Sequence, residues 1–216
     1  MTRSTTPTKI VRNPVATALL CVALAGVTTY AAQTPRDVVQ QLGDEVLAVL
    51  KDKSISNDEK RERILDISRR GVDFETLSRL VLARNWSKLT PDEQQRFQEE
   101  FRRHLAVTYG NAVDNYRNEN MVITGDREEA RGDWTVKTKI PRGGDDILVD
   151  YRLRKNAQGE WKIIDFIVEG VSLVSNFRSQ FQDLLASKSP RELIDLLHEK
   201  NARGESIVKK TEKEPS

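Results

Sequence analysis

The chain has 216 residues, 38% of them hydrophobic and 31% charged, with 35 Lys and Arg against 33 Asp and Glu. That length can bury one core without staples, and the near-balanced charge, with no Lys/Arg run interleaved with aromatics, gives no footprint for nucleic acid. A single cysteine excludes a disulfide framework and a thiolate metal cluster.

The N-terminus carries Arg3, Lys9 and Arg12, then an apolar run from Val15 to Val27 broken only by Thr17 and Gly26, then Thr29-Tyr30-Ala31-Ala32. A basic region, a short apolar run and a small-x-small site make a secretory signal peptide over residues 1–31. Cleavage after Ala31 puts Thr29 and Ala31 at the recognition positions; cleavage after Ala32 would put bulky Tyr30 there. The alternative is an N-terminal anchor, for which the run is short and weakly apolar. Leu20 before Cys21 argues against lipid attachment, so Cys21 is expected to leave with the signal. Removing Arg3, Lys9 and Arg12, which no acid accompanies, leaves 32 basic residues against 33 acidic ones. An exported, near-neutral chain points to the periplasm of a bacterium or to secretion.

The mature chain is expected to form one domain over residues 32–203. Pro35 opens a first helix with Val38, Val39, Leu42, Val46, Val49 and Leu50 on one stripe. Ser56-Asn57-Asp58-Glu59 reads as a capping box before a short helix that ends near Gly71. A third helix carries Phe74, Leu77, Leu80, Val81 and Leu82. Thr90-Pro91-Asp92-Glu93 is a second capping box with Pro at the first helical position. It opens a long helix with Phe97, Phe101, His104, Leu105 and Tyr109 that is expected to reach Tyr116.

The period then switches from helical to alternating. Met121 to Arg127 is a weak strand, Trp134 to Ile140 a clean one, and Gly143-Gly144-Asp145 a hairpin turn. Ile147, Val149, Tyr151 and Leu153 alternate with Leu148, Asp150, Arg152 and Arg154, and Asn156 to Gly159 turns into the last strand, Trp161 to Val168. That strand is apolar on both faces, so it is expected to be central or covered twice. The helical pattern returns with Val171, Val174, Phe177, Phe181, Leu184 and Leu185, and Ser189-Pro190-Arg191-Glu192 caps a last helix. Residues 204–216 read as a charged, low-complexity tail that is expected to be disordered.

Blocks of helices and strands mean α+β. The expected architecture is a curved four-stranded antiparallel meander packed against several helices, forming a cone with an apolar ligand pocket. Catalytic signals are few. His104 and His198 are isolated and helical, which supports structural roles and no metal site. Asp165, set among Ile163, Ile164, Phe166 and Ile167, is paired with an Arg or raised in pKa. No Gly-rich phosphate loop is present, and Gly143-Gly144 lies between strands. The expectation is a protein that is not an enzyme. The rivals are a small-molecule enzyme on this fold with Asp165 as base, and an envelope interaction scaffold.

The stretch "DYRLRKNAQGEWKIIDFIVEGVSLVSNFRSQF", Asp150 to Phe181, closely resembles the C-terminal signature of the MlaC family, also called the toluene-tolerance auxiliary family. The carrying elements are Tyr151-Arg152-Leu153, Trp161-Lys162-Ile163-Ile164-Asp165, Glu169 to Val174, and Asn176 to Phe181, with Phe177 where the family usually has Tyr. Upstream, "FETLSRLVLARNWSKLTPDEQQRFQEEFRRHLAVTYGNAV" resembles the family's helical segment, so the likeness covers roughly Pro35 to Lys200. These are periplasmic phospholipid-binding proteins of Gram-negative bacteria. The resemblance implies no cofactor and phospholipid as carried ligand, with the acyl chains between sheet and helices and the head group outside. It also implies two partners, an inner-membrane ABC transporter with an MCE-domain subunit and an outer-membrane lipoprotein–porin complex, in the service of outer-membrane lipid asymmetry.

The residues read alone agree. A two-chain phospholipid hides about 30 methylenes from water at about 0.8 kcal/mol each, on the order of 24 kcal/mol that a carrier's pocket must nearly match. Long apolar faces without catalytic clusters suit that task. The expected lining is Leu80, Val81, Phe101, Tyr109, Val149, Tyr151, Ile163, Val171, Val174 and Phe177, each of which alone reads as ordinary core and which carry the expectation only as a set. Arg152 and Arg178 are expected to pair with Asp150, Asp165 or Glu169, with a phosphate at the mouth as the other reading.

Overall fold

Thr34 starts the first helix by closing a reciprocal capping box with Asp37, and Pro35 takes the first helical position. The computed structural model describes Met1 and residues 33–207, so the expected signal peptide, its cleavage site and the tail beyond residue 207 lie outside the described residues. Helix α1 (Pro35–Lys51) and helix α2 (Asn57–Gly71) pack together, and α3 (Phe74–Leu82) leads through a 3-10 turn, Ala83–Lys88, into α4 (Pro91–Tyr109). The long helix stops at Tyr109 instead of Tyr116; the chain kinks at Gly110 and resumes as the single turn α5 (Asn111–Asp114). Thr90 and Glu93 form the expected box. Ser56 does cap α2, but Glu59 does not return the bond and holds Arg63 at 2.7 Å instead.

The sheet follows in chain order: β1 (Val122–Glu128), β2 (Trp134–Ile140), β3 (Ile147–Lys155), β4 (Trp161–Val168) and β5 (Val171–Ser172), all antiparallel neighbours. The expected four-stranded count is therefore corrected to five. Glu169 and Gly170, with φ of 49° and 78°, reverse the chain tightly enough for Val171 and Ser172 to pair back on β4. Two residues cannot show an alternation, so β5 leaves no periodic signal. Helix α6 (Leu173–Leu185) starts at once, capped by Ser172, and α7 (Pro190–Ala202) opens on a full Ser189–Glu192 box.

The outer edge of β4 is covered from both ends, by β5 and by Val72-Asp73, where the Asp73 N–H donates to the Ile163 carbonyl at 2.9 Å. Consecutive Ile163, Ile164 and Asp165 are all buried, so this stretch of β4 is covered on both faces, as its apolar run leads one to expect. The core itself is an aromatic cluster between α4 and α6. Phe101 meets Phe177 edge-on at 5.0 Å between centroids and Phe181 at 5.5 Å, and Phe97 stacks on Phe101.

Candidate functional site

Strand alternation and register place Val136, Thr138 and Ile140 of β2, Ile147, Val149, Tyr151 and Leu153 of β3, and Phe166 and Val168 of β4 on one face of the sheet. Helix α1 lies against that face, with contacts to β1, β2 and β4. Burial falls along it. Val136 and Leu153 are fully buried; Tyr151, Phe166, Val149, Ile147 and Ile140 are half-buried; Val168 and Val171 are 43% and 60% exposed. Helix α1 repeats the gradient, from buried Val38 and Val39 to half-buried Leu42, Val46, Val49 and Leu50. The apolar inner layer is thus sealed at one end and open at the end of the β2–β3 hairpin.

Few polar groups interrupt this layer. The Thr138 hydroxyl donates to the Val149 carbonyl at 2.7 Å. The Tyr151 hydroxyl donates to the Met121 sulfur at 3.8 Å, its ring meets Phe166 edge-on at 5.6 Å, and burial pushes its phenol up to about 12. Two cavities elsewhere are polar or small. One of about 480 Å³ lies among Ala83, Arg84, Lys88, Gln182 and Leu185, and one of about 290 Å³ among Leu65, Glu100, Arg103, Val107 and His198. None of the ten residues expected to line a pocket borders either cavity.

Those ten residues divide by depth. Val81, Phe101, Ile163, Val174 and Phe177 are in the packed core, and Leu80 and Tyr151 lie against it. Val149 is half-buried on the inner face, while Tyr109 and Val171 are exposed. Leu42, Met121, Ile140, Ile147 and Phe166 belong to the same inner layer and were not among them. Their signal was present, as an α1 stripe and as strand alternation, but neither reports which stripe faces which.

The candidate chemical groups are structurally engaged. Asp165 accepts the Ser172 hydroxyl at 2.6 Å and the Val174 N–H at 3.0 Å, with Arg152 at 3.6 Å. The expected pairing of Arg152 is therefore present. Arg178 instead donates to the Leu80 carbonyl at 2.8 Å. His104 Nδ1 donates to Asn201 Oδ1 at 2.9 Å while its Nε2 accepts the Ile207 N–H at 3.1 Å, and burial holds its pKa down. His198 pairs with buried Glu100 at 2.8 Å. Among the described residues no group of three or more His, Cys, Asp or Glu is placed to hold a metal ion.

Comparison with known proteins adds a family. The sequence profile described as MlaC protein matches residues 40–199. The chain is 33% identical over 173 residues to the toluene tolerance protein ttg2D of Pseudomonas putida, covering 77% of this chain and 80% of that one. It is 23% identical over 157 residues to the intermembrane phospholipid transport system binding protein MlaC of Haemophilus influenzae, covering 69% and 73%. Among solved structures, the phospholipid-binding protein from Ralstonia solanacearum in complex with a phospholipid superimposes with a TM-score of 0.72 at 28% identity, covering 81% of this chain and 99% of that one.

Proposed function

The chain belongs to the MlaC family, and from that premise we propose that it is a periplasmic phospholipid carrier. One observation carries the reading: a relative of the same fold, matched over nearly its whole length, holds a phospholipid. The apolar inner layer of this chain supplies the matching chemistry. Its half-buried side chains lie between α1 and the sheet and run outward to exposed Val168 and Val171, so acyl chains can enter from the hairpin end and lie between the two layers. The sheet and helices then make a cone around the chains, with the head group in water.

The lining follows depth. Val149, Tyr151 and Val171 touch the acyl chains first, together with Leu42, Ile140, Ile147 and Phe166. Leu80, Val81, Phe101, Ile163, Val174 and Phe177 form the packed base against which the chain ends rest, and Tyr109 lies near the outer rim. The residues need no cofactor for this task, and binding without covalent chemistry makes the protein a carrier and not an enzyme. Export by the N-terminal signal, with cleavage near Ala31, delivers it to the periplasm. Its partners there are an inner-membrane ABC transporter with an MCE-domain subunit and an outer-membrane lipoprotein–porin complex.

Incubation with phospholipid vesicles followed by gel filtration tests the reading. Lipid phosphorus should co-elute with the protein at a fixed molar ratio. Protein that emerges free of phosphorus from every vesicle composition would overturn it.

A further inference from the structure

Met121 sits just before β1, on the link from α5, with the end of its side chain beneath α1. Its ε-methyl carbon lies 2.3 Å from the point where a Cβ on Gly43 would stand, and its sulfur 3.1 Å from that point. With no side chain on Gly43, the methionine end packs directly against the helix. On the other side the sulfur accepts the Tyr151 hydroxyl at 3.8 Å. A thioether is a weak acceptor, so little holds this contact shut. Its neighbours in the layer, Leu42, Ile123, Tyr151 and Phe166, are branched or aromatic and have few ways to move. Methionine is unbranched and has three rotatable bonds.

We propose that Met121 is a displaceable plug: its thioether fills the slot between α1 and the sheet that an acyl chain takes, and the residue sets how readily that slot accepts a chain. The proposal rests on the carrier reading and deepens it by naming the residue that the entering chain must move. Gly43 belongs to the same device. A methyl added there meets the flexible end of Met121 and not backbone, so Gly43→Ala pushes the plug aside without breaking the fold.

The chain has two methionines, Met1 and Met121, and cleavage near Ala31 leaves Met121 alone in the mature protein, which makes the test direct. The mature protein, purified from a bacterial periplasm, is isotope-labelled at the methionine methyl group, and loss of the resonance in Met121→Leu assigns it. Vesicles of phosphatidylethanolamine and phosphatidylglycerol in equal parts are added, and bound lipid phosphorus is measured on the same samples after gel filtration. The Met121 resonance should move in proportion to bound phosphorus. Gly43→Ala should move it the same way before any lipid is added. Met121→Phe, whose ring cannot fold aside, should load about tenfold more slowly. A Met121 resonance that stays put while phosphorus binds, with Met121→Phe loading at the native rate, overturns the plug and leaves the carrier intact. Absence of bound phosphorus overturns both.

Discussion

The Asp165 carboxylate in β4 accepts the backbone N–H of Val174 at 3.0 Å and so closes the N-terminus of α6. Its other oxygen takes the Ser172 hydroxyl, and the helix dipole favours an anion at this point. The carboxylate thus fastens the strand to the helix that carries Phe177 and Phe181. Replacing it leaves buried donors unpaired, so Asp165→Ala should lose about 3 kcal/mol in urea unfolding. Arg152 is 43% exposed at its side chain, and Arg152→Ala should lose less than about 1 kcal/mol. An Asp165→Ala protein as stable as the native one would contradict the fastening role.

The His104 ring is fully buried with its tautomer fixed by Asn201 and Ile207, and burial depresses its pKa below the ordinary 6.5. Below pH 6.5 the unfolded chain takes up a proton that the folded ring refuses, so the unfolded state gains. Stability is therefore full above that pH and falls as the pH drops through the window just beneath it, by up to about 1.4 kcal/mol per pH unit. His104→Gln should flatten this slope. Glu99, held below 4.5 chiefly by its bond to Arg102, affects stability only at lower pH. Chemical denaturation at stepped pH values reads both windows, and an unchanged slope in His104→Gln would count against the assignment.

Core and rim should separate cleanly. Phe177 is fully buried against Phe101 and Phe181, and Phe177→Ala should lose about 3–5 kcal/mol. Val171 is 60% exposed, so Val171→Ser should stay within about 0.5 kcal/mol of native stability. If acyl chains enter at that rim, the same variant should retain lipid about fivefold less well in a vesicle competition assay, a loss of about 1 kcal/mol and so close to the roughly 0.8 kcal/mol of one buried methylene.

The two capping sequences should differ in the same unfolding experiment. Glu93 accepts the Thr90 N–H at 2.9 Å and pairs with Arg191 of α7, so Glu93→Ala should lose about 1 kcal/mol. Among the described residues the Glu59 carboxylate is bonded along its own helix, to Arg63, and Glu59→Ala should lose less than about 0.5 kcal/mol. Equal losses would mean that the reciprocal bond adds nothing.

Much of the fold is legible in the sequence. Strand Trp161–Val168 can be read to its ends because a turn with Gly159 precedes it and apolar residues run along both faces, and the structure buries consecutive Ile163, Ile164 and Asp165 in its middle. The Ser56–Glu59 spacing misleads because it fixes where a helix starts but not whether the acid bends back or reaches Arg63. Strand β5 is hidden because two residues carry no period. The site is harder to read. A stripe says which face is inside, and Phe101, Tyr151 and Phe177 all belong inside. Whether that inside is packed or faces a ligand depends on the distance between layers. Phe101 and Phe177 close the space between α4 and α6, while Tyr151 lies beneath α1 against an unbranched methionine.

The central claim is that this chain carries phospholipid between α1 and the sheet. Native mass spectrometry of the mature protein purified from a bacterial periplasm, followed by organic extraction, tests it most directly. The expected result is a mass excess over the polypeptide that organic solvent releases as phospholipid. A bare polypeptide mass from the periplasm, together with a protein that takes no lipid from vesicles, would contradict it.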